Sequence, residues 1–138
     1  MKSPRRNAII TGAASGLGRA ISLRLARDGW NIAICDINEE AAAETLELVR
    51  QAGGDGRVER LDVADPGQWQ ALSARLRDDW EHLDLLANNA GVAGAGNVGQ
   101  FTLDNWRWIL DINLWNGIYG CHTFIDWMKE NPQGAHIL

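Results

Sequence analysis

Short runs rich in apolar residues recur along the chain, and the segments between them carry apolar residues at every third or fourth position. Runs of the first kind are typical of parallel strands that are covered on both faces, and segments of the second kind are typical of amphipathic helices. We predict five strands, at 7–11 (NAIIT), 31–36 (NIAICD), 57–63 (RVERLDV), within 82–91 (HLDLLANNAG) and at 135–138 (AHIL).

Helical periodicity follows each of the first three runs. The residues predicted to face the core are Leu17, Ile21 and Leu25, then Ala42, Leu46 and Val49, then Trp69, Leu72, Leu76 and Trp80. Capping signals support these helices. Gly29 ends the first, Asn38 begins the second, and Asp65 begins the third with Pro66 at the first helical position and Gln68 as a capping-box partner.

A longer helix is predicted from about residue 102 to about residue 130. It is apolar nearly all round, which predicts burial on several sides. Because strands and helices alternate with short links, the fold class is α/β, a parallel sheet with helices on both faces. No repeat or linker divides the chain, so residues 1–138 form one domain.

Composition narrows the function. The formal net charge of -5 argues against a nucleic-acid surface, because phosphate binding needs clustered Lys and Arg. No apolar run approaches the roughly 20 residues of a membrane span, and the N-terminus lacks the apolar segment of a signal peptide, which predicts a cytoplasmic protein. Cys35 and Cys121 show no metal-ligand spacing, so no metal site is predicted and both are interpreted as reduced, buried thiols.

The turn between the first strand and the first helix carries the strongest functional signal, TGAASGLG at 11–18. Glycines let the chain turn sharply and let backbone N–H groups approach an anion, while the helix N-terminus adds positive potential. The spacing G-x-x-x-G-x-G departs from the common G-x-G-x-x-G and lacks the Lys of a P-loop. The turn therefore predicts a pyrophosphate site, and a tight strand–helix connection without a ligand is the alternative.

Asp36 ends the second strand 18 positions after Gly18. A carboxylate there accepts hydrogen bonds from adenosine ribose hydroxyls and repels a 2′-phosphate. Neither Ser15 nor Ile37 supplies a basic charge, so NAD is predicted over NADP. Without the glycine turn, a turn-forming or helix-capping aspartate would be the better interpretation.

Five motifs in register now point to one family. TGAASGLG at 11–18, CD at 35–36, LDV at 61–63, NNAG at 88–91 and Asn113 within DINLWNG resemble the short-chain dehydrogenase/reductase family, in its short, single-domain branch. The resemblance covers essentially the whole chain. It implies a Rossmann-like doubly wound parallel sheet, an NAD cofactor, and an oxidoreductase that interconverts a hydroxyl and a carbonyl group on a small-molecule alcohol or carbonyl substrate.

The resemblance also implies roles for individual residues. The pyrophosphate would be bound by Gly12, Ser15, Gly16, Leu17 and Gly18, and the adenosine ribose by Asp36 and Ile37. The adenine would lie beside Asp62 and Val63, and the second ribose would rest on Asn89, Ala90 and Gly91. Asn88 would tie neighbouring strands together, and Asn113 would shape a helix kink and hold a water in a proton relay. For Asn88 and Asn89, the alternative is that they satisfy turn geometry. For Asn113, the alternative is a buried polar contact.

The catalytic groups of the family are expected beyond Leu138. The family places a Ser after the fifth strand and a Tyr-x-x-x-Lys pair on the next helix, and Tyr119, the only tyrosine, has no Lys four residues on. Tyr119 is interpreted as a packing residue, and His82, His122 and His136 as structural or surface residues. We expect the N-terminal part of a longer dehydrogenase that forms homodimers or homotetramers through the helix at 102–130. A shortened, non-catalytic nucleotide-binding or interaction protein is the alternative.

Overall fold

A computed structural model describes residues 5–138. The elements in chain order are β1 Asn7–Thr11, α1 Gly16–Ala26, β2 Asn31–Asp36, α2 Glu39–Gln51, β3 Asp55–Arg60, α3 Pro66–Asp79, β4 Leu85–Ala87, α4 Leu103–Leu110, a π-helical segment Asp111–Trp115, α5 Asn116–Lys129 and β5 His136–Ile137. Within residues 5–138, no helix combines the length and the apolar character needed to cross a bilayer.

The five strands form one parallel sheet in the order β3-β2-β1-β4-β5. Successive side chains of a strand point to opposite faces, so two separate cores form. Ile9 packs into the core shared with α3 and α5, whereas its neighbours Ala8 and Ile10 pack into the core shared with α1 and α2. The predicted doubly wound α/β fold, with helices on both faces, is confirmed.

The strand order reverses at β1, because β2 lies on one side of it and β4 on the other. The chain therefore leaves β1 and β4 toward opposite faces of the sheet, and a crevice opens between the two loops at the carboxyl ends of the strands. This position is fixed by topology alone.

The predicted boundaries of the third strand need correction. The third strand was predicted at 57–63 but spans Asp55–Arg60, paired with β2 from Asn31↔Asp55 to Asp36↔Arg60. β3 stops where β2 stops. The last hydrogen bond between them is donated by the Leu61 N–H to the carbonyl of Asp36, the last residue of β2, at 3.1 Å. β3 is an edge strand with mixed exposure, so apolar content marked its limits poorly.

The predicted core stripe of α1 was wrong by one position. Leu17 is exposed and Ile21 and Leu25 are half-buried, whereas Gly18, Ser22 and Ala26 are buried. Gly18 faces inward because the start of α1 lies directly against the backbone of the preceding turn, and Ala26 faces inward where the end of α1 lies against Gly54. In α2, Ala42 and Val49 are buried as predicted and Leu46 is half-buried. All four predicted core residues of α3 are buried.

The long helix has the predicted extent but is not uniform. A π-helical segment joins α4 to α5, and no residue of α4 is buried. Trp106, Trp108 and Leu110 all expose more than a third of their surface. The prediction of burial on several sides is therefore wrong for this chain taken alone, because an apolar helix predicts burial only against whatever covers it.

The two thiols differ in accessibility. Cys35 is buried in β2 and desolvation raises the pKa of its thiol far above the usual value, whereas Cys121 is half-buried. The interpretation of both as buried therefore holds only for Cys35. Since the thiolate is the nucleophile, iodoacetamide at about pH 8 should label Cys121 in the native protein and spare Cys35. Mass spectrometry should find both labelled after unfolding in guanidinium chloride. Native labelling of Cys35 would contradict the buried β2.

Candidate functional site

The crevice at the carboxyl ends of the strands has a volume of about 480 Å³. It is lined by Gly12, Ser15, Gly16, Leu17, Asp36, Ile37, Leu61, Asp62, Val63, Asn89, Ala90, Gly91, Val92 and Ile112. Every residue predicted to bind the cofactor, except Gly18, lies on its wall. Asn113, predicted to be catalytic, is exposed beside the crevice and is not part of the lining.

Two glycines shape the turn between β1 and α1. Gly12 has φ +63° and Gly16 has φ +53°, values that residues with a Cβ rarely adopt. Between them, the Ala13 N–H donates to the Cys35 carbonyl at 3.2 Å, which joins the turn to β2. The loop therefore folds back over the carboxyl ends of β1 and β2 and brings the N-terminus of α1 to the crevice.

The N-terminus of α1 lacks the side-chain cap that α2, α3 and α4 have, and it starts directly after a loop, whereas the other helix without a cap, α5, continues from the π-helical segment. Asn38, Asp65 and Thr102 cap α2, α3 and α4 with side-chain hydrogen bonds, whereas Ser15 makes no such bond at the start of α1. The first turn of α1 contains no acidic residue either. Its free N–H groups and positive dipole end therefore remain available to an anion in the crevice.

The carboxylate of Asp36 lies at the end of β2 on the crevice wall. Its Oδ2 accepts from the Ala14 N–H and its Oδ1 accepts from the Asn38 N–H, both at 3.0 Å. Asp36 thus has the turn-forming role that was the alternative interpretation. A carboxylate oxygen has two lone pairs, so each oxygen keeps acceptor capacity for a ligand hydroxyl. The structural role and the predicted ribose contact are compatible.

The wall opposite α1 is formed by residues 61–63, which follow β3. The Asp62 N–H donates to Gln68 Oε1 at 2.8 Å, and Asp62 Oδ1 accepts from the Ala64 N–H at 3.0 Å. The indole of Trp69 donates to the Val63 carbonyl at 3.0 Å. The start of α3 and its buried tryptophan therefore fix this wall.

The floor of the crevice is held by Thr11. Its hydroxyl oxygen accepts from the N–H groups of Asn89 and Ala90, both at 3.0 Å, and donates to the Ala87 carbonyl at 3.3 Å. Asn89 Nδ2 donates back to the Thr11 carbonyl at 2.9 Å. Asn89 therefore joins β4 to β1.

Asn88 joins the ends of β4 and β5 through its backbone, because its N–H donates to the Leu138 carbonyl at 2.9 Å, but its side chain makes no such link within residues 5–138. Its side-chain amide donates weakly to Cys121 Sγ at 3.8 Å, and its buried oxygen has no hydrogen-bond partner within residues 5–138. The side chain points toward α5, where a Cβ on Gly120 would lie 2.2 Å from Asn88 Oδ1. The two successive asparagines after β4 therefore point in different directions, Asn89 toward β1 and Asn88 toward α5.

The π segment holds the far end of the floor. Asn113, its central residue, accepts from the Val92 N–H at 2.8 Å and donates to the Val92 carbonyl at 2.7 Å. The buried Asn116 donates to the Ala90 carbonyl at 2.8 Å and to the Ile112 carbonyl. The segment therefore holds residues 90–92 in place through two side-chain amides.

Sequence reasoning missed two of these residues. Thr11 belongs to the glycine turn, but no role was predicted for its hydroxyl, although a hydroxyl at the end of a buried strand needs hydrogen-bond partners. Asn116 was not considered. A second mid-helix asparagine three positions after Asn113 was a usable signal, because asparagine lowers helix propensity.

A parallel sheet with reversed strand order, an uncapped helix at the reversal and a carboxylate ending the adjacent strand together define the dinucleotide-binding class of α/β folds. Comparison with known proteins identifies the family within this class. The short chain dehydrogenase model matches residues 6–138, so the chain belongs to the short-chain dehydrogenase family. The predicted family is confirmed.

Individual relatives are similar over nearly the whole chain. A 3beta-hydroxysteroid dehydrogenase of Mediterraneibacter gnavus is 33% identical over 131 residues, which is 94% of this chain and 47% of the relative. The 2,5-dichloro-2,5-cyclohexadiene-1,4-diol dehydrogenase LinX of Sphingobium indicum is 37% identical over 130 residues, 94% of this chain and 52% of the relative. The chain thus spans about half the length of these relatives.

Solved structures agree with the fold. A short chain dehydrogenase/reductase of Burkholderia phymatum in complex with NAD matches with a TM-score of 0.90 and 33% identity, covering 96% of this chain and 47% of that one. A similar enzyme of Burkholderia xenovorans matches with a TM-score of 0.90 and 30% identity, covering 96% and 52%.

Proposed function

We propose that this chain is the NAD-binding portion of an oxidoreductase that interconverts a hydroxyl and a carbonyl group on a small molecule by hydride transfer. The uncapped N-terminus of α1 carries the proposal, since it faces the crevice with free N–H groups while three other helices are capped. Family membership and the NAD complex of the Burkholderia phymatum relative support it.

The crevice residues divide into three proposed contacts. The turn from Gly12 to Leu17 would hold the pyrophosphate, with the Ser15 hydroxyl free to donate. Asp36 and Ile37 would hold the adenosine ribose, with Asp62 and Val63 beside the adenine. Residues 89–91 would lie under the second ribose. Gly18 is not part of the crevice lining, and we propose that it serves the pyrophosphate site by packing against Gly12, which lets α1 start close to the turn.

NAD is proposed over NADP on the basis of charge. The Asp36 carboxylate would lie against a 2′-phosphate, and its two backbone hydrogen bonds hold it in place. The nearest strand neighbour on β3 is Arg60, whose guanidinium lies 4.0 Å from Glu39 and is balanced by that carboxylate. A 2′-phosphate would therefore meet a net negative surface.

The chemistry needs two further things. Bound nicotinamide supplies the hydride acceptor or donor. The hydroxyl proton needs an acceptor, and within residues 5–138 the titratable side chains on the crevice wall are Asp36 and Asp62, which already accept backbone hydrogen bonds. We place the proton acceptor in a further segment carrying the family's Ser, Tyr and Lys, in keeping with relatives about twice as long.

The proposed substrate is a small alcohol or its carbonyl counterpart. The two dehydrogenases described above and a cyclohexanol dehydrogenase of an Acinetobacter species, 33% identical over 131 residues, are all named for alcohols on carbon rings. We also propose a cytoplasmic location, and assembly into homodimers or homotetramers through the apolar surface of α4 and α5. That surface includes Trp108, Leu114 and Ile118, each more than 40% exposed.

Replacing Asp36 by Asn tests the cofactor assignment. The variant keeps one acceptor oxygen but loses the charge, so NAD should bind about tenfold more weakly because a charged acceptor contributes more than a neutral one. Calorimetry should also show that the unchanged protein binds NAD better than NADP and that the variant discriminates less between them.

Asp55→Asn is the matched control for this experiment. Asp55 also accepts a backbone N–H group, that of Gly56 at 2.8 Å, but it lies at the start of β3 and does not line the crevice. NAD affinity should stay unchanged in this variant. A preference for NADP in the unchanged protein, or equal NAD affinity in both variants, would refute the role of Asp36.

A further inference from the structure

The π segment is a local irregularity with a single side chain at its end. The Asn116 N–H donates to the Asp111 carbonyl, five residues back, which widens the helix by one residue. The Asn116 side chain then donates to the Ile112 carbonyl, four residues back. Asn116 therefore donates to two successive carbonyls of the helix, to that of Asp111 through its backbone and to that of Ile112 through its side chain.

The same amide reaches outside its helix. Asn116 Nδ2 donates to the Ala90 carbonyl at 2.8 Å, and Thr11 accepts from the Ala90 N–H on the other side. Ala90 and Ile112 both line the crevice. The floor residue is thus held from β1 through its nitrogen and from the π segment through its oxygen.

Asn116 is not a well-satisfied core residue. It is 2% exposed, and its buried Oδ1 has no hydrogen-bond partner within residues 5–138. A buried amide oxygen without a donor is unfavourable for folding. Asn131 offers a contrast: its Nδ2 donates to Leu83 and Asp84, and its Oδ1 accepts from the Gln133 N–H. The orientation of the Asn116 amide is thus set by the two carbonyls to which it donates, those of Ala90 and Ile112.

We propose that Asn116 is a positioning residue that sets the height of the crevice floor and thereby the affinity for the nicotinamide half of the dinucleotide. The inference rests on the proposed function, in which residues 89–91 lie under the second ribose. Asn113 holds Val92, two residues further along the loop. Asn116 holds Ala90, which lies nearer to β1. Without the Asn116 donor, the Ala90 carbonyl should turn away from its present orientation.

The test compares NAD with ADP, which lacks the second ribose and the nicotinamide. Asn116→Leu keeps the size of the side chain and removes the donor. Calorimetry should show about tenfold weaker NAD binding and unchanged ADP binding. Asn116→Ser is a second variant, whose shorter hydroxyl can still donate to a carbonyl four residues back but falls short of Ala90. It should show the same selective loss of NAD affinity.

Asn131→Leu is the matched control, because it removes a buried amide that also donates to a backbone carbonyl, at the opposite end of the sheet. It should lower the unfolding midpoint and leave the ratio of NAD to ADP affinity unchanged. Equal ratios in the Asn116 variants and the unchanged protein, or equal losses for both ligands, would overturn the inference. If the unchanged protein bound neither NAD nor ADP, the proposed function itself would fail.

Discussion

Replacing Gly18 with alanine should abolish measurable NAD binding and lower the free energy of unfolding by about 2 kcal/mol, the cost of overpacking a tight contact. A Cβ at this position would lie 2.3 Å from the Gly12 carbonyl oxygen and 2.8 Å from Asn89 Nδ2. Neither neighbour can withdraw freely, because Gly12 belongs to the turn backbone and Asn89 donates to Thr11. The start of α1 would therefore move away from the turn and carry its free N–H groups out of position.

Gly117→Ala is the control for this variant. Gly117 lies in α5, and a Cβ added there would meet no atom within 4 Å. Alanine in a helix interior is more favourable than glycine, so stability should rise by about 0.5–1 kcal/mol with NAD affinity unchanged. Calorimetry and denaturant unfolding measure both quantities. A Gly18→Ala protein that binds NAD normally would show that the approach of α1 to the turn is not needed.

Trp69→Ala should cause the largest loss of stability, about 3–5 kcal/mol. The side chain is fully buried between α3 and α5 and meets the Phe124 ring edge-on at 6.2 Å between centroids. The substitution leaves a large cavity and also removes the indole donor to the Val63 carbonyl. Since Val63 is part of the crevice wall, NAD affinity should fall together with stability.

Leu48→Ala is the matched control, since Leu48 is 38% exposed on α2, away from the apolar surface of α4 and α5. Its removal should change the free energy of unfolding by at most about 1 kcal/mol. Guanidinium chloride unfolding followed by far-UV circular dichroism compares the two variants. Equal losses in both would mean that the core between α3 and α5 is not where the structure places it.

The sequence predicts β1, β2 and α3 well because their signals are local. Asn7–Thr11 and Asn31–Asp36 were predicted with the boundaries that the structure shows, and Asp65 caps α3 as its spacing with Gln68 indicated. A buried parallel strand is apolar along its whole length, and a cap is read within four residues. Neither depends on the rest of the fold.

The errors arise where tertiary contacts decide. The inward face of α1 carries small residues because Gly18 lies against the turn and Ala26 lies against Gly54, and no periodicity of large apolar residues records these close contacts. The π segment likewise ends at a long-range contact, because Asn116 donates to Ala90, 26 residues earlier in the chain. The exposed face of α4 was missed for a related reason: apolar pattern predicts burial but does not identify the covering surface.

The crevice itself was foreseen more fully than its supports. The family resemblance predicted eleven of the residues that line the crevice, between Gly12 and Gly91. It gave no role to Thr11 or Asn116, whose side chains touch only backbone behind the lining. Such residues leave a weak trace in sequence because a buried threonine or asparagine is common for many reasons.

Titration of isotope-labelled protein with NAD, followed by backbone amide NMR, tests the central claim most directly. A dinucleotide in the crevice should shift the amide signals of residues 12–18, 36–37, 62–63 and 89–91, with the first turn of α1 shifting most. The amides near His82 and Gln133, at the opposite end of the sheet, should stay unchanged. No shifts at saturating NAD, or shifts confined to that opposite end, would contradict a pyrophosphate site at the head of α1.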